Sequence, residues 1–125
     1  MSARPVKFTT ANTTNLTLLS EQPAVFKGGS FLNTTANEYF IKLYWFVPTA
    51  SASAPTVGTT VPQMTIMVPP FVEALLGLPG CVTPSFPDGV IGNTGKLYCA
   101  VTGAAGDTDT TAVAAGQGIL TFLLE

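Results

Sequence analysis

Apolar positions along this chain fall in short alternating runs, separated by clusters of Gly, Pro, Asn and Thr. The longest run is Glu38 to Val47, Glu-Tyr-Phe-Ile-Lys-Leu-Tyr-Trp-Phe-Val, which holds the one Trp and no Gly or Pro. It reads as a β-strand. Alternation puts Tyr39, Ile41, Leu43, Trp45 and Val47 on one face and Phe40, Lys42, Tyr44 and Phe46 on the other. Both faces are largely apolar. Such a strand is central in a two-layer sandwich, or has one face against another subunit. Tyr39, Ile41, Leu43 and Trp45 are expected in the core, with Phe40, Tyr44 and Phe46 toward a neighbouring subunit or a covering loop.

The other runs are shorter. Asn15 to Ser20 predicts a first strand. Lys27-Gly28-Gly29, between Ala24-Val25-Phe26 and Ser30-Phe31-Leu32, predicts a hairpin turn or a bulge. From Val61 to Val68, Met64, Ile66 and Val68 point inward and Gln63, Thr65 and Met67 outward, and Pro69-Pro70 ends the strand. Phe71 to Gly77 has the only helical flavour, one or two turns stopped by Gly77 and Pro79. Short strands and loops are expected from Cys81 to Asn93. Lys96 to Thr102 and Gly118 to Leu124 read as strands joined by a long loop of small residues.

Residues 1–13, polar and Pro-containing, read as an N-terminal arm, and residues 14–125 as a single domain. Seven or eight strands, at most one short helix and turn signals every ~8–12 residues predict an all-β fold, a β-sandwich of jelly-roll type.

Charge sharpens this picture. Only 10% of the 125 residues are charged, against about a quarter in ordinary soluble domains. The net charge of -2 excludes a basic nucleic-acid footprint. No uncharged apolar run approaches the ~20 residues of a membrane helix, so neither nucleic acid nor membrane is an expected partner. The opening Met-Ser-Ala-Arg-Pro-Val-Lys lacks the apolar core of a signal peptide. No charged residue occurs from Leu43 to Val72 or from Thr110 to Leu124. Surface there is covered by small neutral residues or by another protein, a pattern suited to an assembly.

Candidate chemistry is sparse. The chain has no His, which removes the usual Ser-His and Cys-His nucleophile systems and the commonest metal ligand. Cys81 and Cys99 match no zinc spacing. They would pair if their Cα atoms came within about 6 Å, and a reduced, buried pair is the expectation for a cytosol-assembled protein. Asp107 and Asp109, with neighbouring Thr hydroxyls, have the chemistry of Ca²⁺ ligands, but without further acids they read as turn formers. Trp45, Tyr39 and Tyr44 would suit a sugar-stacking platform, although their strand favours core or interface. Asn12, Asn15 and Asn33, each in an Asn-x-Thr triplet, read as turn and edge residues. No catalytic residues, no metal and no cofactor are expected, and the chain does not read as an enzyme.

Three pieces resemble a family of small tailed-phage and prophage virion proteins. They are Tyr39-Phe40-Ile41-Lys42-Leu43-Tyr44, then Ala54 to Pro62 with Met64 to Pro69, then Val101 to Gly116. The resemblance covers roughly the C-terminal two-thirds of the chain. The chain departs from the family pattern by inserting Trp45 to Ser53 and by a longer, more apolar stretch from Val72 to Asp88. The resemblance implies a β-sandwich head decoration (cement) protein, often a homotrimer, that binds the major capsid protein and performs no catalysis. It would be assembled in the host cytoplasm and sit on the capsid surface of the virion. Phe40, Tyr44, Phe46, Phe71, Leu75 and Leu76 are the expected interface residues. A tail, neck or fibre component, or a carbohydrate-binding adhesion module on the particle, is the alternative.

Overall fold

The structure, a computed structural model, describes residues 4–21, 26–71, 73–76 and 95–124. Among the described residues eight strands run in chain order: β1 (Arg4–Thr9), β2 (Thr17–Ser20), β3 (Phe26–Asn33), β4 (Tyr39–Phe46), β5 (Met64–Val68), β6 (Glu73–Leu76), β7 (Lys96–Thr102) and β8 (Gly118–Leu124). They form two four-stranded sheets, β1-β8-β3-β6 and β2-β7-β4-β5, in which every pairing is antiparallel. Strand 1 thus pairs with 8, 2 with 7, 3 with 6 and 4 with 5. This is a long antiparallel hairpin rolled into a sandwich, the jelly-roll arrangement.

The sheets face each other through the residues that the alternation placed inward. Tyr39, Ile41, Leu43 and Trp45 of β4, Val68 of β5, and Leu97, Cys99 and Val101 of β7 meet Phe26 and Phe31 of β3 and Leu120, Phe122 and Leu124 of β8. Phe122 is the hub of the aromatic part, with ring centroids 5.1 Å from Phe31, 6.0 Å from Phe26 and 6.2 Å from Phe8. Burying each such side chain contributes about 1.5–3 kcal/mol. The Tyr39 hydroxyl donates to the Leu32 carbonyl at 3.0 Å, so this ring spans the sandwich with its polar end satisfied. Buried Asn33 ties the two sheets at one corner: its Nδ2 donates to Asn37 O at 2.8 Å and to Pro69 O at 3.1 Å.

Several expectations are corrected. The N-terminal arm is instead a strand: β1 runs beside β8 in unbroken register from Arg4↔Leu124 to Thr9↔Ile119. Val6 and Phe8 pack on the core while Pro5, Lys7 and Thr9 are exposed, an alternation that polar composition concealed. Phe71 to Gly77 does not make a helix; Phe71 lies in a turn and Glu73–Leu76 is β6. Pairing with β3 overrides the weak local helical preference there. Lys27-Gly28 is a bulge inside one continuous β3, marked by a register shift between Phe26 and Gly28 and a φ of 120° at Gly28. Val47 lies past the end of β4 and is exposed. The reading of Cys81 to Asn93 falls outside the described residues.

Candidate functional site

Phe40, Lys42, Tyr44 and Phe46 point away from the core, beside Tyr98, Ala100 and Thr102 of β7, whose register opposes them across the ladder. This outer face is covered by the chain itself. Ala54 and Val57, from the loop between β4 and β5, pack with Phe46 on Tyr44, Tyr98 and Ala100. Phe46 and Tyr98 meet edge to face at 6.3 Å. Gln63 then continues the β4 ladder with its side chain. Its Oε1 accepts from the Trp45 amide at 2.9 Å and its Nε2 donates to the Trp45 carbonyl at 3.1 Å.

Of the two coverings expected for this face, a loop is what lies on Tyr44, which is fully buried; Phe40 is 8% exposed within the single chain. Phe46 is half-buried. Of the other expected interface residues, Phe71 is 69% exposed and carries a φ of 52°. Leu75 and Leu76 lie opposite Ser30 and Gly29 in the ladder, and their side chains fall outside the described residues. A sugar platform on Trp45, Tyr39 and Tyr44 has no open ring face, because all three are buried.

The centre of this face is Lys42, fully buried in β4. Its Nζ donates to the Gly106 carbonyl and, at 3.4 Å, to the Asp109 carbonyl, both in the loop after β7. The loop is closed by Gly103 N to Thr111 O and Asp109 N to Gly106 O, both 3.0 Å. Asp109 stiffens it with its carboxylate, which accepts from Ala104 N at 3.2 Å, Thr111 N at 3.1 Å and Thr111 Oγ1 at 2.8 Å. The Asp109 side chain thus bonds its own loop, as a turn former does. The second loop abuts the same place. A Cβ added at Gly58, whose φ is 93°, would lie 2.6 Å from Thr110 Cγ2. The loop between β4 and β5 and the loop after β7 thus meet over the outer face of β4 and β7. Lys42 carried a legible signal, a single charge inside an apolar strand, but sequence reasoning did not single it out.

Electrostatics follows from this packing. Desolvation opposes the Asp109 carboxylate, but the hydrogen bonds from Thr111 and Ala104 and the Lys42 charge outweigh it and hold its pKa below the ordinary 3.8. A lowered folded pKa gives stability that is present above the unfolded value and is lost as pH falls through the folded one. Wild type is therefore expected to lose stability on acidification below 3.8 that Asp109→Asn does not lose, read as melting temperature against pH. Parallel curves for the two proteins would refute this. The Tyr44 phenol is pushed up by burial and then by the Asp107 charge. Burial likewise raises the thiol of Cys99, a free cysteine in the core, while Cys81 lies outside the described residues.

At one end of the sandwich, an open cleft of about 350 Å³ is lined by Asn37, Glu38, Gly103, Gln117 and the segment Thr111 to Ala114. Its wall is fixed by Gln117, whose Oε1 accepts from Ala114 N at 3.0 Å and whose Nε2 donates to Asn37 O at 2.8 Å. Glu38 is its one carboxylate among the lining residues, so it has hydrogen-bonding capacity without a paired acid and base. Among the described residues, no group of three His, Cys, Asp or Glu side chains is placed to hold a metal ion. No family model, curated protein or solved structure matches the chain.

Proposed function

We propose that this chain is a structural protein of a bacteriophage virion, a head decoration (cement) protein that binds the major capsid protein as a homo-oligomer. The observation that carries this reading is the convergence on Lys42. Three separated pieces that resemble a virion family share one physical task, holding two loops against the outer face of β4 and β7. That gives a stiff, nearly uncharged shelf suited to bearing on a shell.

Further support comes from the surface. Val61 and Phe71 are 65% and 69% exposed, in a stretch of chain with no charge from Leu43 to Val72. Apolar side chains displayed in this way suit contact with another protein. On a capsid, an oligomer would grip several subunits at once, and multiplied weak contacts would give firm attachment through effective concentration. No catalytic step belongs to this role.

The test is the location and copy number of the chain in purified particles, by electron microscopy and quantitative mass spectrometry. Hundreds of copies on the shell are expected, with occupancy lowered by Phe71→Ala. A few copies at the neck or tail would replace decoration by a tail, neck or fibre role, and absence from the particle would end the virion reading. Stoichiometry at each capsid site is read from the same map.

A further inference from the structure

Among the described residues, two four-stranded sheets leave four edge strands, β1, β6, β2 and β5. Edge strands present unpaired backbone groups, and proteins guard them with charge, proline, bulges or short length. Three of these edges are guarded. β1 contains Arg4, Pro5 and Lys7. β6 has four residues including Glu73. β2 has four residues and a register shift between Leu18 and Ser20.

β5 differs. Its sequence Met-Thr-Ile-Met-Val has no charge and no proline, and it follows β4 in unbroken register from Met64↔Leu43 to Val68↔Tyr39. Asn33 Nδ2 reaches the Val68 carbonyl at 3.4 Å; otherwise β4 is its sole ladder partner among the described residues. Met64 and Ile66 point into the core yet stay only partly buried, so among the described residues this side of the sandwich is incompletely covered. Thr65 and Met67 are exposed on the outer face, Met67 by 51%.

We infer that the β5 edge is an interaction surface whose occupant is β5 of a second copy of this chain, added antiparallel about a two-fold axis. Charge identifies the occupant. Two-fold antiparallel pairing sets this strand against its own sequence, so a charge at or near the axis would meet a like charge. The span from Leu43 to Val72 contains none. A different partner would be selected by complementary charge, and this edge offers none. Pairing joins the two β2-β7-β4-β5 sheets into one eight-stranded sheet and completes the burial of Met64 and Ile66. Residues opposite each other in an antiparallel pair share a face, so Thr65 meets either Thr65 or Met67 of the other copy.

This pairing does not rest on the virion reading; a purified dimer unconnected to any particle would still satisfy it. A short strand contact belongs to the weak size class, so the full-length chain should pass from monomer to dimer within the micromolar range in sedimentation equilibrium. The double variant Thr65→Lys, Met67→Lys changes only exposed side chains and should weaken dimerisation by about a hundredfold. Mixed with Thr65→Glu, Met67→Glu, it should form a heterodimer while each variant alone stays monomeric. That rescue separates lost pairing from lost folding. Wild type that stays monomeric to near-millimolar concentration would overturn the inference and leave the edge to another occupant. Oligomers indifferent to both charge variants would place the contact elsewhere and overturn it equally.

Discussion

Gly29→Ala is expected to destabilise the protein by about 3 kcal/mol or more, lowering the melting temperature by about 10 °C or preventing folding altogether. Gly29 lies in β3 opposite Phe122 of β8. A Cβ there would sit 2.0 Å from the Thr121 carbonyl oxygen and 3.2 Å from the Phe31 ring. The nearer atom is backbone, so a rotamer change gives no relief and β3 must move away from β8. The requirement is a close approach of two chains, since no left-handed conformation is involved. Gly106→Ala is the control: nothing lies within 4 Å of its added Cβ, and its cost should stay within about 0.5 kcal/mol. Chemical denaturation of the two variants checks both. Equal, small effects would mean that β3 and β8 do not approach so closely.

The second large effect is expected at Lys42, and here two substitutions separate two contributions. Lys42→Ala removes three buried methylenes, Cγ to Cε, each contributing about 0.8 kcal/mol. It also removes charge-assisted hydrogen bonds to two carbonyls, each contributing about 1.5–3 kcal/mol. Against these stands the relief of desolvating an ammonium group, which costs several kcal/mol. The hydrogen bonds and the desolvation roughly cancel, so the stem decides the sign, and Lys42→Ala should lose about 2.4 kcal/mol. Lys42→Met keeps the stem and should stay near wild-type stability. Its loop should nevertheless loosen, with faster amide exchange at Asp109 and Thr111. Lys42→Met as unstable as Lys42→Ala would mean that the ammonium, rather than the stem, carries the stability.

These positions show what could be read from residues alone. β4, β5, β7 and β8 were legible because clean alternation coincides with burial: Tyr39, Ile41, Leu43, Val68, Leu97 and Leu120 all lie inward. β1 was not, because Val6 and Phe8 are only two apolar positions among Arg4, Pro5, Lys7 and Thr9, and their burial depends on a strand more than a hundred residues away. β6 was misread because four residues, Glu-Ala-Leu-Leu, suit a helix locally and a sheet only in context. For Tyr44 a covering loop was one of two expectations, but which loop supplies it was not legible. Ala54 and Val57 stand in a stretch whose composition marks a surface loop, and composition does not record which side of a loop faces inward.

The strand order also fixes how this chain completes itself during synthesis. All four strands of β2-β7-β4-β5 have been made once Thr102 is joined, so that sheet can assemble first. The other sheet cannot. β8 lies between β1 and β3, and until Gly118–Leu124 emerge β1 has no neighbour and the aromatic cluster lacks Phe122. During that interval the inner face of the finished sheet, Tyr39 to Trp45 and Leu97 to Val101, stands open. Exposed apolar surface of this kind makes nascent chains prone to aggregate. Keeping nascent chains apart during that interval, by slower initiation, or weakening apolar association, by lower temperature, is thus the lever on soluble yield, and the seven residues of β8 close both halves at once.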